Sequence, residues 1–586
     1  MEYRGYDSAG VVVLNEPPRL VKSVGRIANL EKKLDHITLH GNAGIAHTRW
    51  ATHGKPSETN AHPHTDCRAG VFLAHNGIIE NYQVLKQNLL HEGHVFKSET
   101  DTETIAHLIE KYYAGDLEDA VKHALALLEG TFGLAICHAD HPDQVILARR
   151  SSPIILGVGL DELFAASDVA ALIRHTKRVV YLDDNEVAVL TQRGFHITTL
   201  DNRFIRKTIE TVDWDIGAAE KQGFPHFMLK EIFEQPESVQ NAFRGRLLPA
   251  QGTAKLGGLE TVVDELQKMQ RMVIVSCGTS YYAGLVGRYM LEELTNMAVE
   301  VDLASEFRYR TLNHLRQGAA VIAISQSGET ADSLAAIQAA KEQGAMVLGL
   351  VNVVGSTISR ETQAGVYTHS GPEIGVAATK SFTSQITVLA LISLMLGRLQ
   401  EKLDEDKGKE IIAGLERLPE QISQILSGAD RIKEMAEKYA GFQNFLYLGR
   451  KYHYPIALEG ALKLKEIAYI HSEGYAAGEM KHGPIALIDP SFPTVCIAVR
   501  DNSYAKILSN IEEIKARDGK VLAVATEGDE KIRQLVDDVI YVPENQEILM
   551  PVLTVVPMQL LAYYIANAKG CEIDKPRNLA KSVTVE

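Results

Sequence analysis

The feature that most constrains this chain is an internal repeat. Met272-Val273-Ile274-Val275 returns as Phe445-Leu446-Tyr447-Leu448, and Val321-Ile322-Ala323-Ile324 returns as Cys496-Ile497-Ala498-Val499. Val347-Leu348-Gly349-Leu350 and Val366-Tyr367 return as Val521-Leu522-Ala523-Val524 and Ile540-Tyr541. The offset stays at about 170 to 175 residues through all four pairs, and shared order at constant spacing is the mark of duplication. The first run of each set meets a glycine, Gly278 or Gly449, and then a helical pattern. Unbroken apolar runs alternating with helical stretches are how a parallel sheet covered on both faces reads. Two α/β domains with parallel sheets are therefore expected, at 246–405 and 406–575, followed by a tail at 576–586.

The region before them reads differently. Up to residue 216, short β-like runs such as Gly10 to Leu14, Gly44 to Ala46, Val71 to Ala74 and Gly133 to Ile136 are separated by turns. A few helices, such as Thr102 to Tyr113, interrupt them, which predicts an α+β module with packed sheets. From 217 to 245 the pattern is helical and polar, as expected of a linker. A chain of 586 residues accommodates several such domains.

The net charge of −15 argues against a general nucleic-acid binder, which needs a basic surface. It leaves room for a small anionic substrate in a locally positive pocket. The five cysteines, at 67, 137, 277, 496 and 571, show no paired spacing, as expected of free thiols in a cytoplasmic protein. The stretch Ile548 to Ala568 is apolar enough to suggest a membrane span, but Pro551, Pro557 and Gln559 interrupt it, and a buried helix is the expectation. His47, His53, His62 and His64 lack a companion ligand set, so no metal is expected.

Two strand-to-helix junctions in the first repeat are rich in hydroxyls and glycine: Ser276-Cys277-Gly278-Thr279-Ser280 and Ser325-Gln326-Ser327-Gly328-Glu329-Thr330. Such junctions aim backbone N–H groups and hydroxyls at a helix start, where a phosphate dianion is stabilised. Plain helix capping would use the same residues. No GxxxxGK[ST] run is present, so a phosphomonoester is favoured over a nucleotide. In the second repeat, Glu459, Lys463 and Glu466 fall on one helix face. That spacing suits a proton shuttle or a solvated salt-bridge stripe. His482, between Lys481 and a Gly-Pro turn, is placed for proton transfer. The tail 574–586 combines a Pro-Arg-Asn turn with a short apolar run, and Lys581 there is a candidate amine nucleophile toward a sugar carbonyl.

Three runs stand out in the N-terminal module. In His47-Thr48-Arg49-Trp50-Ala51-Thr52-His53-Gly54, Arg49 can clamp a carboxylate bidentately. His75-Asn76-Gly77 offers an amide beside a glycine N–H, the components of an oxyanion hole. Ser98-Glu99-Thr100-Asp101 presents Asp101 to an ammonium group. Each run alone is equally compatible with a turn.

Together these segments resemble the glucosamine-6-phosphate synthase family, the isomerising glutamine–fructose-6-phosphate aminotransferases, from Met1 to Glu586. The likeness is strongest at Ser325 to Thr330, Leu458 to Ile470, Lys481 to Pro484 and Lys575 to Glu586. The N-terminal runs, with Arg4 to Gly10 and Asn60 to His64, resemble a glutaminase of the N-terminal-nucleophile type, and the repeats resemble two sugar isomerase (SIS) domains. The resemblance implies conversion of fructose 6-phosphate to glucosamine 6-phosphate, with nitrogen from L-glutamine or ammonia, no cofactor, no nucleic acid or membrane partner, and a homodimer in which His482 serves the neighbour's site. It implies that Thr279, Ser280, Ser325, Gln326, Ser327 and Thr330 hold the sugar phosphate, while Val376 and Ala580 line the sugar. Lys581 would form the Schiff base, His482 open the ring, and Glu466 move the proton between C1 and C2, with Lys463 and Glu459 nearby. Arg49, Thr52, His53, Gly77 and Asp101 would bind glutamine, with Arg4 near that pocket. Asn76 and Gly77 would form the oxyanion hole, and Trp50 would guard an ammonia channel. Ala378 stands where relatives often have Ser.

The family nucleophile is a cysteine at the mature N-terminus, whereas this sequence opens at Met1-Glu2. By the family pattern, roughly twenty residues holding that cysteine and a core strand are expected to be missing, which would leave free ammonia as the nitrogen source. Cys67 is not expected to replace it, since no amine or base is placed beside it in the sequence. Two other readings remain at this point. A deglycase running in reverse has no use for a glutamine pocket, and a sugar-phosphate-binding regulator would be expected to carry a basic DNA-binding segment, which the sequence does not show.

Overall fold

The computed structural model describes residues 5–15, 17–49, 54–212, 221–295, 297–313, 315 and 318–583. The chain divides into two compact units. Met1–Ala219, Glu329–Ala331 and Ala580–Glu586 form the first, and Glu220–Gly328 with Asp332–Leu579 form the second.

The first unit is the expected α+β module. A seven-stranded antiparallel sheet is its spine, with Val71–Ile79 paired to Gly130–His138 and that strand to His141–Arg150. One face packs on the helices Tyr82–His91, Thr102–Tyr112 and Leu117–Leu125 through Ile105, Leu108, Leu134 and Ile136. The other face meets the three-stranded sheet built on Ser8–Leu14 and Ala43–Arg49, with Val12, Ile45 and Phe72 between them. A further four-stranded sheet packs through Leu147, Leu156, Val180 and Leu190.

The second unit holds two five-stranded parallel sheets in matching order. Across the first sheet the strands run Ala298–Leu303, Arg271–Ser276, Ala320–Ser325, Met346–Val351 and Ala364–Tyr367, and across the second His471–Ala476, Asn444–Gly449, Thr494–Ala498, Val521–Thr526 and Asp538–Val542. All four predicted strand pairs are present. The fifth pair, Ala298–Leu303 and His471–Ala476, escaped the sequence reading. These are edge strands, half-exposed and carrying Glu300, Asp302, His471 and Glu473, so they lack the apolar run of a strand buried on both faces.

One apolar core runs through both lobes, joining Ile274, Val286, Met290 and Leu389 of the first to Tyr447, Ala461, Leu464 and Leu560 of the second. Among the described residues, two helices are long and apolar enough to cross a membrane, Lys380–Leu399 and Glu547–Ala568. Both are buried in the protein, the second as its interrupting prolines and glutamine suggest.

The segment 217–245 is more than a linker. Within it, Phe227–Phe233 and Gln235–Phe243 are helices that bury Met228, Ile232, Val239 and Ala242 in the second unit's core. The polarity that suggested a linker is paired polarity. Glu231 accepts from the Gly375 N–H at 3.1 Å, and Glu234 pairs with Lys230 at 3.0 Å and with Lys380 at 2.8 Å. Asp574, from the far end of the unit, accepts from the N–H groups of Phe227 and Met228, both at 2.9 Å, at the start of the first of these helices.

Candidate active site

The first unit has a cleft of about 350 Å³ whose walls include Arg49, Asn76, Gly77 and Asp101, four of the residues singled out for glutamine. Trp50, Thr52 and His53, like Arg4, lie outside the described residues. Arg49 ends the strand Ala43–Arg49, and one guanidinium nitrogen donates to the Gly54 carbonyl at 3.2 Å. Burial lowers the guanidinium's pKa from its ordinary value, while Asp7 and Asp101 work to raise it. Asp101 is fixed by accepting the Ile79 N–H at 2.8 Å.

Asn76 and Gly77 sit on Val71–Ile79, the strand next to Gly130–His138. Only glycine fits at 77: its φ is +138°, and a Cβ would lie 2.1 Å from the Thr131 carbonyl oxygen. Asn76 Oδ1 lies 2.7 Å from His47 Nε2. Burial pushes the His47 imidazole down to about 4, so near neutral pH the ring is uncharged and its Nε2 hydrogen donates to Asn76. That bond occupies the amide oxygen and leaves Asn76 its N–H groups, which an oxyanion requires. Sequence reading had not assigned roles to His62, His75 and Thr102, which shape the same wall: the His75 N–H donates to His62 Nδ1 at 3.2 Å, and His75 Nδ1 meets Thr102 Oγ1 at 3.0 Å.

Cys67 does not line this cleft. It does have bases beside it, against expectation: His107 Nδ1 at 3.5 Å and His94 Nδ1 at 3.8 Å, brought in from 40 and 27 positions away.

In the second unit, Arg271–Ser276 and Ala320–Ser325 are adjacent parallel strands. The two hydroxyl-rich junctions therefore emerge side by side at the carboxyl edge of the sheet, where open α/β sheets bind ligands. The Ser325 hydroxyl accepts the Gly328 N–H at 3.0 Å, which folds the second junction on itself. Gly328 has φ +68°, and a Cβ there would lie 2.1 Å from Ser356 Oγ. Ser280 Oγ accepts from Gln385 Nε2 at 3.0 Å, a partner that no local pattern signals. Thr330 and Ala580 group with the first unit, where the Ala331 N–H donates to the Val583 carbonyl at 3.1 Å.

The carboxylate–amine face lies on the helix His453–Ala468. It is no solvated stripe. Glu459 and Lys463 are 0% exposed, and Glu466 is about one-fifth exposed. Lys463 Nζ stands 3.3 Å from Glu459 and 2.5 Å from Glu466. Thr279, from the first junction, closes the array by donating to Glu459 at 3.2 Å and accepting from Lys463 at 3.0 Å. Burial raises the Glu459 carboxyl to about 7, against the opposing pull of Lys463. Burial also works against the Lys463 charge, but Glu459 and Glu466 outweigh it and hold the ammonium above its ordinary value. The result is a carboxyl that titrates near neutrality beside a fixed cation, a combination suited to proton transfer.

His482 is exposed at the end of the short helix Ala477–His482, and Gly483 after it has φ +145°. Val376 donates its N–H to the Asp574 carbonyl at 3.1 Å, which ties the sugar-wall candidate to the base of the tail. Arg577 is held twice by Tyr469, through an N–H to hydroxyl bond of 2.9 Å and with its guanidinium 4.2 Å from the ring centre. The tail from 574 to 579 is thus docked on the second unit, as its sequence suggested.

Residues 9–215 match the glutamine amidotransferase domain, and residues 265–395 and 442–568 each match the SIS domain. The chain is 51% identical to the isomerising glutamine–fructose-6-phosphate aminotransferase of Chlorobaculum tepidum and 49% identical to that of Methanosarcina acetivorans. Both alignments take in 100% of this chain and 96% of the relative. The solved C-terminal domain of glucosamine-fructose-6-phosphate aminotransferase from Francisella tularensis superposes with a TM-score of 0.57 at 36% identity, over 61% of this chain and all of that one. The chain belongs to the family of isomerising glutamine–fructose-6-phosphate aminotransferases.

Proposed function

We propose that this chain converts fructose 6-phosphate to glucosamine 6-phosphate, the first unit supplying nitrogen from glutamine and the second carrying out amination and isomerisation. The observation that carries this reading is the buried Glu459–Lys463–Glu466 array, closed by Thr279 from one of the two hydroxyl-rich junctions. Amination and isomerisation of a ketose phosphate call for a phosphate anchor, an amine and a proton carrier, and this neighbourhood supplies candidates for the first and last of them.

In this reading Ser280, Ser325, Gln326, Ser327 and Thr330 hold the phosphate with Thr279, and Val376 and Ala580 border the sugar. His482 opens the ring, and the Lys581 amine forms an imine with the exposed ketone, losing water. Glu466, the array's solvent-reaching member, carries the proton between C1 and C2. Lys463, 2.5 Å from Glu466, holds that carboxylate in position. In the first unit, Arg49 takes the glutamine carboxylate, Asp101 its ammonium, and the Asn76 amide with the Gly77 N–H the oxyanion. The domains assigned to these tasks are 1–216 for glutamine, 246–405 and 406–575 for the sugar, and 576–586 for the reactive tail. The enzyme works in the cytoplasm as a homodimer, without nucleic-acid or membrane partners.

The test is glucosamine 6-phosphate formation from fructose 6-phosphate with an ammonium salt as the nitrogen source. Glu466→Gln is expected to slow it about 10²- to 10⁴-fold, the span of one general acid–base group. Asp101→Asn should leave it unchanged, because that residue serves glutamine alone. An undiminished rate in Glu466→Gln would refute the assignment.

A further inference from the structure

Outside the cleft, four side chains with metal-binding atoms converge on one point of the first unit. Cys67 lies between the strands His64–Thr65 and Val71–Ile79, and His94 follows the helix Tyr82–His91. His107 and Glu110 share a face of the helix Thr102–Tyr112. One donor atom from each lies within 4.8 Å of all the others.

Five of the six separations are close to those that a metal ion imposes, and all six lie within 4.8 Å. Cys67 Sγ is 3.8 Å from His94 Nδ1 and 3.5 Å from His107 Nδ1, and the two imidazole nitrogens are 3.4 Å apart. Glu110 Oε2 is 3.0 Å from His94 Nδ1 and 3.3 Å from His107 Nδ1. Tetrahedral Zn²⁺, with bonds of about 2.0 to 2.3 Å, sets its ligand atoms roughly 3.3 to 3.6 Å apart. The surroundings also suit an ion. The other nitrogen of His107 faces Glu103 Oε1 at 3.6 Å, and the Glu103 carboxylate is itself held by the N–H groups of Lys97 and Ser98 at 2.8 and 2.6 Å. A carboxylate behind a ligand histidine fixes its tautomer and orientation. The Val95 N–H donates to Cys67 Sγ at 3.3 Å, a bond that stabilises a thiolate.

We propose that Cys67, His94, His107 and Glu110 bind one Zn²⁺ as a structural ion. One sulfur, two nitrogens and one oxygen make a borderline donor set that favours zinc over calcium or magnesium, and four protein ligands leave no position open for catalysis. Binding displaces the thiol proton of Cys67 and requires both Nδ1 atoms to be unprotonated. The ion would staple two loops to the helix Thr102–Tyr112, whose first residue follows Asp101 of the cleft wall. It would thereby set the position of that carboxylate.

The experiment uses the full chain, saturated with ZnCl₂, desalted and analysed for zinc, and in parallel stripped and reloaded with Co²⁺. One tightly held zinc per chain is expected, reduced to a small fraction in Cys67→Ser and in His94→Ala. The Co²⁺ form of the unaltered chain should show intense tetrahedral absorption with a thiolate-to-cobalt charge-transfer band. That spectrum requires no variant to fold. A folded chain that retains no zinc after desalting would overturn the proposal. So would a Co²⁺ form without the sulfur band, or zinc kept equally by both variants, which would point to the cleft histidines instead.

Discussion

The two lobes of the second unit share strand order and helix layout, yet of the equivalent helices Gly278–Thr295 and His453–Ala468 only the second buries charge. Laying Met272 over Phe445 puts Val286 at the place of Glu459 and Met290 at the place of Lys463. Val286 and Met290 are 0% exposed, as are Glu459 and Lys463. The same shift sets Thr279 opposite Tyr452, and each reaches the other lobe's helix: Thr279 donates to Glu459 at 3.2 Å, and Tyr452 to Glu293 at 3.1 Å. One scaffold thus accommodates either an apolar pair or an ion pair at equivalent buried positions. A buried ion pair is at best neutral in stability against well-packed apolar residues. Stability therefore does not account for Glu459 and Lys463, in keeping with the proton-transfer role proposed for them.

That contrast can be broken by experiment. Lys463→Met alone should abolish sugar turnover and cost about 3 to 5 kcal/mol, because Glu459 is left buried without its cation. Glu459→Val combined with Lys463→Met, which copies the first lobe, should recover most of that loss in thermal unfolding while turnover stays absent. A double variant no more stable than the single one would show that the lobes are not interchangeable.

A pH scan separates the two units next. The Glu459 carboxyl is raised to about 7 in the fold, above its ordinary 4.5. Its contribution to stability is therefore fully present below about 4.5 and lost as pH rises through about 7, by roughly 3 kcal/mol at about 1.4 per unit. His47 has the opposite sign. Lowered to about 4, it adds stability that is present above about 6.5 and lost as pH falls through about 4. Hydrogen exchange should show the helix His453–Ala468 loosening as pH rises and the strand Ala43–Arg49 loosening as it falls. Glu459→Gln should remove the first trend and leave the second. The smallest effects concern the crossing contacts. Thr279→Val should cost about 1.5 to 3 kcal/mol, since its partners are charged and buried, and Tyr452→Phe only about 0.5 to 1.5, since Glu293 is 45% exposed. Equal losses would contradict the asymmetry.

Much of this architecture was legible in the chain. Strands buried on both faces leave apolar runs, so the duplication could be read directly. The edge strands could not, because their residues answer to solvent on one side. The 459, 463, 466 spacing gave the face but not the burial, since the same spacing serves an exposed salt bridge. The positions 227–243 misled for a related reason: Lys230, Glu231 and Glu234 look solvated and are in fact satisfied by partners more than a hundred residues away or one turn along. Of the Cys67 group, only His107 and Glu110 are near in sequence, so nothing but the fold could assemble it.

The anchoring of the chain's end has a kinetic consequence. With Asp574 bound at one helix start and Arg577 against Tyr469, four chain steps separate these moorings from Lys581. Fully extended, they span at most about 14 Å. An amine on so short a tether explores a small volume, so its effective concentration at any point within reach is set by the moorings rather than by the lysine. Loosening either mooring should dilute the nucleophile without altering its chemistry.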